Sequence, residues 1–226
     1  MADVDTLRGV PFLAILPESE LAKLAQRAHT RHYRAGVTIF HREDPGSTMH
    51  IVRSGRVKLS LSSPEGREVT VGLIGPGGFF GDLALLDGGP RSASVVTLEP
   101  VETLTLDRAP FVDVLERHPE VAGALLAVLG DRLRRTDELI QDILFLDLPA
   151  RVAKTLLALA AEHGSQVPEG LRIDVRLSQS ELAGLVGSTR ESVNRCLNAY
   201  ADRGMVALDR DAIIILKPDE LRRRIY

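Results

Sequence analysis

The chain has 226 residues, enough for one or two domains, and its hydrophobic content of 44% can build packed cores. A formal net charge of −3 excludes a grossly basic protein, and a single cysteine, Cys196, excludes an intramolecular disulfide and a cysteine-held metal cluster. No apolar run reaches the ~18 residues of a membrane span, and the start of the chain, with Asp3 and Asp5, lacks a signal-type apolar core, so we expect a cytoplasmic protein.

The first half of the chain predicts short helices followed by a β-barrel. Pro17 begins a helix in which Leu21 and Leu24 share one face. From about residue 30 onward, short alternating segments separated by glycines predict strands over 37–41, 50–53, 57–61, 69–73, 94–97 and 102–106. Many short strands with turn signals every ~8–12 residues are typical of a sandwich or a jelly-roll barrel.

A glycine-rich stretch, FFGDLALLDGGPRSA, occupies residues 79–93. Glycines allow close approach of a ligand to the backbone, and free N–H groups can cradle an anion. Arg91 supplies a charged fork for a phosphate, Ser92 adds a hydroxyl, and Asp82 could accept a hydrogen bond from a ribose hydroxyl. The alternative is a tight turn closed by an Asp82–Arg91 ion pair.

The longest predicted element is a helix from Pro119 to about Phe145, which follows a helix that Asp107 caps and Arg117 ends. Apolar or small residues recur in steps of four and three, as in a coiled-coil seam, at Ala122, Leu126, Leu129, Leu133, Thr136, Ile140 and Ile143. Such a helix is about 40 Å long, longer than a small domain needs for its own core. We therefore expect it to pair with an identical helix, the alternative being an ordinary amphipathic helix packed against its own domain. The polar pair Thr136 and Asp137 either sets register or meets a ligand.

The pattern breaks near Asp147, where we place a boundary between domains 1–146 and 147–226. Asp147 is positioned to cap a helix over 150–163, with Pro149 in its first turn. A strand over 171–177 follows, and a hairpin with strands over 205–208 and 212–216 and the turn Asp209-Arg210-Asp211 comes near the end of the chain.

Two short helices joined by Gly187 lie between that strand and the hairpin, and together these elements predict a winged helix-turn-helix. Ser178 with Glu181, and Ser188 with Glu191, have the spacing of capping boxes. The start of the second helix presents side chains that can reach base edges in the major groove: Arg190, Glu191, Asn194 and Arg195. Hydroxyls that can bond phosphates belong to Ser178, Ser188 and Thr189.

The alternative for this second helix is a set of charges that only keeps a surface helix soluble. Residues 147–226 hold 12 Lys and Arg against 11 Asp and Glu, a net charge of +1. Non-specific attraction to phosphates should therefore be modest. Specificity for DNA would rest on the few placed side chains and on two copies acting together.

From about Val10 to the C-terminus the chain resembles the cyclic-AMP receptor protein family, the CRP/FNR transcription regulators of bacteria. The glycine-rich stretch resembles the family's phosphate-binding cassette, with matches at Phe80, Gly81, Leu83, Ala84, Leu85, Arg91, Ser92 and Ala93. Residues 144–147 and 151–153 fit its dimer helix and hinge. Residues 186–195, VGSTRESVNR, resemble its recognition motif V-G-x-S-R-E-T-V-x-R.

This resemblance implies an α+β fold with an N-terminal jelly-roll cyclic-nucleotide-binding domain, a coiled-coil dimerisation helix and a C-terminal winged helix-turn-helix. It implies a homodimeric DNA-binding transcription regulator under allosteric control, with Arg190, Glu191 and Arg195 contacting bases of a palindromic, TGTGA-like operator. It implies RNA polymerase as a partner and cyclic AMP as the effector, without a metal or a membrane. The effector-binding residues are then Gly81, Asp82, Leu83, Ala84, Arg91, Ser92, Thr136 and Asp137. No Ser/His/Asp or metal constellation of an enzyme is present.

Two departures from the family pattern leave the effector open. Asp82 replaces the cassette's glutamate, and Asp137 replaces the serine of the family's Thr-Ser pair. Thr136 fits an adenine amino group, whereas Asp137 could accept from adenine N6 or from guanine N1 and N2. A guanine nucleotide, another ligand or no effector are the alternatives, and the second domain argues against a regulatory subunit of an enzyme. One cysteine, Cys196, is too few to hold the iron–sulfur cluster of the oxygen-sensing branch. The histidines show no spacing typical of haem ligands.

Overall fold

The structure, a computed structural model, describes residues 2–64, 68–209 and 212–225. Its helices are α1 (Ala2–Arg8), α2 (Glu18–Ala25), α3 (Asp82–Asp87), α4 (Arg108–Arg117), α5 (Pro119–Phe145), α6 (Leu148–His163), α7 (Gln179–Val186), α8 (Arg190–Asp202) and α9 (Pro218–Arg222). Its strands are β1 (His29–Tyr33), β2 (Thr38–Phe40), β3 (Thr48–Ser54), β4 (Val57–Ser62), β5 (Glu68–Ile74), β6 (Phe79–Phe80), β7 (Ser94–Thr97), β8 (Val101–Asp107), β9 (Gly164–Val167), β10 (Gly170–Ile173), β11 (Val206–Leu208) and β12 (Ile213–Ile215).

The chain divides into two compact units. The first comprises Met1–Leu61 and Val71–Thr136, and the second comprises Ser62–Thr70 and Asp137–Tyr226. Helix α5 contributes to both units. The domain boundary predicted between residues 146 and 147 stays a prediction.

Two antiparallel four-stranded sheets build the β-barrel, with strand orders β1-β8-β3-β6 and β2-β7-β4-β5. Each strand predicted in this region is present within a residue or two of its expected bounds. The alternation is clearest in β7, where Val95 and Thr97 are buried and Ser94 and Val96 are half-buried. Strand β1 was not predicted, since it is a polar edge strand, HTRHY, with almost no buried residue. The predicted fold class is confirmed.

The core of the first unit combines the N-terminal helices, one face of the barrel and the start of α5. Phe12 packs edge-to-face on Phe79 and Phe111, with ring centroids 4.9 and 6.1 Å apart. Val121 and Leu125 of α5 belong to the same core. Helix α5 thus packs partly against its own unit, as in the alternative interpretation, while other positions of its seam stay exposed.

The second unit is a winged helix-turn-helix. The Asp147 side chain accepts a hydrogen bond of 2.8 Å from the backbone N of Ala150, so the predicted cap of α6 is confirmed. Buried residues of α6, α7 and α8, among them Leu156, Leu182 and Val193, form its helical core. The sheet β11-β12-β10-β9 flanks these helices, and the β11–β12 pair is the predicted hairpin.

Several sequence predictions in detail are corrected by the structure. The predicted strand over 171–177 ends at Ile173, because its partners β9 and β12 pair only up to that residue. Asp107 precedes α4 without a side-chain capping bond. Of the predicted turn Asp209-Arg210-Asp211, the last two residues lie outside the described part of the chain.

Among the described residues, none of the helices combines the length and the hydropathy that crossing a bilayer requires.

The second capping box was also predicted wrongly. Helix α8 is capped by Thr189, whose side chain accepts from the backbone N of Ser192, and not by Ser188 with Glu191. The backbone N of Ser188 instead donates to the carbonyl of Ala183 and helps to close α7 after Gly187, which has φ 70°. Ser188 belongs to the end of one helix, so the next helix begins one residue later than predicted.

A buried histidine lies inside the barrel. The His50 ring stacks on Phe80 at a centroid distance of 4.8 Å, with Nδ1 3.3 Å from Thr103 Oγ1. Burial, helped by the charges of Arg91 and Arg31, lowers the pKa of His50 to about 3. The imidazole is therefore neutral in the folded protein at neutral pH.

We predict that His50 makes the fold sensitive to mild acid. The unfolded chain binds a proton at His50 below pH ~6.5 and the folded chain does not, so stability is lost as the pH falls from 6.5 towards 3. At pH 5 this loss amounts to about 2 kcal/mol, since each pKa unit is worth ~1.4 kcal/mol. The free energy of unfolding in urea should be measured at pH 7.5 and at pH 5. Between these two pH values it should fall by about 2 kcal/mol less in His50→Gln than in the parent. The exposed His41→Gln serves as control and should behave like the parent; equal losses in all three proteins would contradict the prediction.

Candidate effector pocket and candidate nucleic-acid interface

Arg91 is a buried cation, only 5% exposed, in the middle of the glycine-rich stretch. Its Nη1 donates to the carbonyl of Gly81 at 2.9 Å and its Nη2 to Thr48 Oγ1 at 3.3 Å. The guanidinium lies over the Phe40 ring, with Cζ 4.1 Å from the centroid. Burial lowers the pKa of Arg91, an effect that the carboxylates of Asp44 and Asp82 oppose. Among the described residues, the buried Arg91 Nε has no hydrogen-bond partner.

Two glycines make room for this guanidinium. A Cβ on Gly46 would lie 2.6 Å from Ala84 Cβ and 2.8 Å from Arg91 Nε. A Cβ on Gly81, which has φ +79°, would lie 2.5 Å from Arg91 Nη1. The predicted role of Gly81 in binding an effector stays a prediction. Gly46 was not singled out, because it was one turn glycine among many and its neighbours are distant in sequence.

Asp82 is paired with a residue of the long helix. Arg132 Nη1 donates to both carboxylate oxygens of Asp82, at 3.0 and 3.1 Å, and its Nη2 donates to the carbonyl of Phe79 at 2.7 Å. The Arg132 guanidinium also lies over the Phe79 ring, with Cζ 4.1 Å from the centroid. Asp82 therefore forms its ion pair with Arg132, and not with Arg91 as the tight-turn alternative required. Each carboxylate oxygen keeps a lone pair that can accept from a ribose hydroxyl.

The structure thus brings together Gly81, Asp82, Ala84 and Arg91, and adds Arg132, Thr48 and Phe40 to them. Ser92 and Leu83 are exposed beside them. Thr136 lies one helical turn beyond Arg132 and is exposed, as is Asp137. Because Thr136 Oγ1 donates its proton to the carbonyl of Arg132 at 3.0 Å, its oxygen faces solvent as an acceptor.

The second candidate site is the exposed side of α8. Val193, Leu197 and Tyr200 are buried, which turns the opposite side of the helix outward. Arg190, Glu191 and Arg195 are exposed there, and Asn194 is half-buried. Ser178 and Glu181 form the predicted capping box at the start of α7. Gln179 was not predicted from the sequence to belong to the site, and it contacts Arg190 and Asn194, two of the predicted base-contacting residues.

Within the second unit, side chains of α6 tie the end of α5 to the helix-turn-helix. Arg151 Nε donates to the carbonyl of Val186 at 3.1 Å, and its Nη1 donates to the carbonyl of Leu146 at 3.2 Å. Lys154 and Asp142 form a salt bridge of 2.7 Å. The last turns of α5 and the end of α7 are therefore held together by charged hydrogen bonds.

Comparison with known protein families identifies both units. The family model of the cyclic nucleotide-binding domain matches residues 30–118, and that of the Crp-like helix-turn-helix domain matches residues 150–224. The chain belongs to the CRP/FNR family of transcription regulators. The resemblance found in the sequence is thereby confirmed, and with it the expectation of a DNA-binding domain joined to a cyclic-nucleotide-binding domain.

Individual CRP/FNR members cover nearly the whole chain. The CRP-like cAMP-activated global transcriptional regulator of Mycobacterium tuberculosis is 38% identical over 206 residues, 91% of this chain and 92% of its own. The cyclic AMP receptor protein of Thermus thermophilus is 37% identical over 202 residues, 89% of this chain and 90% of its own. The structure of the c-di-GMP responsive global regulator CLP of Xanthomonas campestris superimposes with a TM-score of 0.78 at 25% identity, covering 88% of this chain and 99% of that one. Relatives of this chain are thus named for different nucleotides.

Among the described residues, no group of three His, Cys, Asp or Glu side chains is arranged to hold a metal ion. The cations of the pocket are arginines.

We predict that Gly46→Ala disables the pocket without unfolding the barrel. The added methyl group would displace Arg91 from its place beside Ala84, so the affinity for a cyclic nucleotide should fall at least tenfold. Calorimetry with cyclic AMP and cyclic GMP measures the loss. Gly72→Ala is the matched control, because its Cβ would meet nothing within 4 Å and affinity should stay unchanged. Equal affinities of the two variants would contradict the role of Gly46.

Proposed function

We propose that this CRP/FNR member is a homodimeric, sequence-specific DNA-binding regulator, not an enzyme, whose affinity for a palindromic operator is set by a cyclic nucleotide. The observation that carries the proposal is the Arg91 guanidinium held in the glycine-rich stretch by Gly81 and Thr48, in a chain that joins a cyclic nucleotide-binding domain to a Crp-like helix-turn-helix domain. RNA polymerase is the expected further partner of such a regulator.

Cyclic AMP is our first choice of effector. Its single phosphate charge matches Arg91, with the Ser92 hydroxyl and backbone N–H groups of the cassette as further donors. Asp82 would accept from the ribose 2′-hydroxyl. The base would lie against α5, where the Thr136 oxygen, an acceptor, suits the adenine amino group.

A guanine nucleotide is the second candidate, on one specific observation. Asp137 is an exposed carboxylate next to Thr136, and guanine presents N–H donors at N1 and N2 that a carboxylate can accept. Asp137→Ser should shift the preference from guanine towards adenine if Asp137 contacts the base.

Arg91→Leu tests effector control. In the parent, cyclic AMP should bind with measurable heat and change the affinity for a palindromic TGTGA duplex, and in the variant both effects should fall at least tenfold, the scale of a lost charged hydrogen bond. Arg42→Leu, an exposed arginine of the barrel, is the control and should behave like the parent. If neither cyclic AMP nor cyclic GMP gives heat or alters the duplex affinity of the parent, the regulator is constitutive.

Helix α5 is the proposed route from the pocket to DNA. It is continuous from Arg132, which holds Asp82, to Phe145, and Lys154 and Arg151 hold its last turns to the DNA-binding unit. A nucleotide can shift the setting of the recognition helices only by its differential affinity for two settings. By reciprocity, operator DNA should tighten nucleotide binding by the same factor.

The exposed seam of α5 supports the homodimer. Leu126 and Leu133 are 68% and 62% exposed, and Ile140 and Ile143 follow on the same seam. Each such side chain gains about 1.5–3 kcal/mol from full burial, and an identical helix offers a self-complementary surface of the same spacing. Two-fold symmetry then predicts half-sites about 34 Å apart.

We predict that Leu133→Asp yields monomers, because a carboxylate on the seam would face its own copy in an apolar interface. Sedimentation of the full chain measures the mass. Ile15→Asp places the same charge on an exposed apolar residue away from the seam, and that protein should remain a dimer. A Leu133→Asp protein that still sediments as a dimer would refute this interface.

A further inference from the structure

Gln179, the first residue of α7, bridges two residues of the recognition helix. Its Oε1 accepts a hydrogen bond of 3.2 Å from Arg190 Nε and one of 2.6 Å from Asn194 Nδ2. Arg190 and Asn194 are four residues apart on α8 and so lie on the same side of that helix. The capping box of Ser178 and Glu181 holds the start of α7, so the bridge joins two fixed helix ends.

We propose that Gln179 is a positioning residue that sets which base contacts Arg190 and Asn194 can make. The proposal rests on the DNA-binding function proposed above and adds to it a residue that does not itself need to touch a base.

The bridge restricts the donors that Arg190 presents. A guanidinium can approach guanine side-on, through Nε and one Nη, or end-on, through both Nη groups. With Nε bound to Gln179, only the end-on fork remains for guanine O6 and N7. A long arginine side chain also loses rotamer freedom on binding, and a side chain already held in place loses less.

The bridge also orients the Asn194 amide. Since Gln179 Oε1 is an acceptor, the group of Asn194 that faces it is the NH₂, and Asn194 Oδ1 points elsewhere as an acceptor. One N–H of that amide is used, so Asn194 meets DNA with one acceptor and one remaining donor. Free rotation of the amide would allow either end to face a base, and the bridge removes that ambiguity.

The experiment compares discrimination, not affinity alone. The full chain and its variants are titrated onto a palindromic TGTGA duplex, onto duplexes changed at each position of the half-site in turn, and onto a random duplex. Gln179→Ala should lower the ratio between the parent duplex and the duplex changed at the Arg190-contacted position by about tenfold, within the range of one bidentate base contact. Affinity for the random duplex should stay within about twofold.

A conservative variant separates positioning from phosphate contact. Gln179→Glu keeps acceptor oxygens for Arg190 and Asn194, so it should keep the discrimination ratio while weakening binding to every duplex through its negative charge. Ser180→Ala, exposed on the same turn, is the control and should match the parent in both respects.

A double-mutant cycle with Arg190→Ala completes the test. If Gln179 acts through Arg190, Gln179→Ala should cost no further discrimination at that position once Arg190 is gone. Equal weakening of Gln179→Ala on all duplexes, or no change at all, would overturn the positioning role while leaving the DNA-binding function intact. A parent chain that fails to separate the TGTGA duplex from the random one would overturn that function, and this proposal with it.

Discussion

The burial of the Arg91 guanidinium is the constraint on which the cyclic nucleotide-binding domain depends. Taking a cation out of water costs several kcal/mol unless its donors are met. Part of that cost is offset by the Gly81 carbonyl, the Thr48 hydroxyl and the face of the Phe40 ring. These groups can approach the guanidinium because positions 46 and 81 are glycines and carry no Cβ. In the proposed function, an anion that meets the guanidinium N–H groups not used by Gly81 and Thr48 would offset more of this cost than it could at an exposed, hydrated arginine.

Helix α5 makes a different contact on each of its sides. Val121 and Leu125 anchor its start in the core, Arg132 holds Asp82, and Leu126 and Leu133 remain on the outside. A helix transmits rotation and translation along its length because its hydrogen bonds run within it. In the proposed function, a ligand that alters the Asp82–Arg132 contact would act on the helix that also presents Leu126 and Leu133.

Local signals in the sequence were sufficient for the elements but not for the contacts between them. The bounds of α5, the cap at Asp147 and the box at Ser178 follow from short-range rules, and the structure confirms them. Arg132 and Gly46 were missed since their partners lie far away in sequence, and nothing in a helical charge pattern distinguishes Arg132 from its neighbours. The capping role predicted for Ser188 was wrong for the opposite reason. Its spacing to Glu191 fits a capping box, but its backbone N–H donates to the carbonyl of Ala183 and helps to close α7 after Gly187.

The weak net charge of the DNA-binding unit explains why placement of side chains matters there. With a net charge of +1 over residues 147–226, we expect little binding energy from phosphates alone, so discrimination would rest on a short set of contacts on α8. If one recognition helix prefers its half-site by a given factor, two copies on a palindrome prefer it by the square of that factor, because their free energies add. In the proposed homodimer, an effector that misaligns only one of the two helices would remove half of the total discrimination energy. Misalignment of one recognition helix in this proposed homodimer would therefore be enough to weaken operator binding.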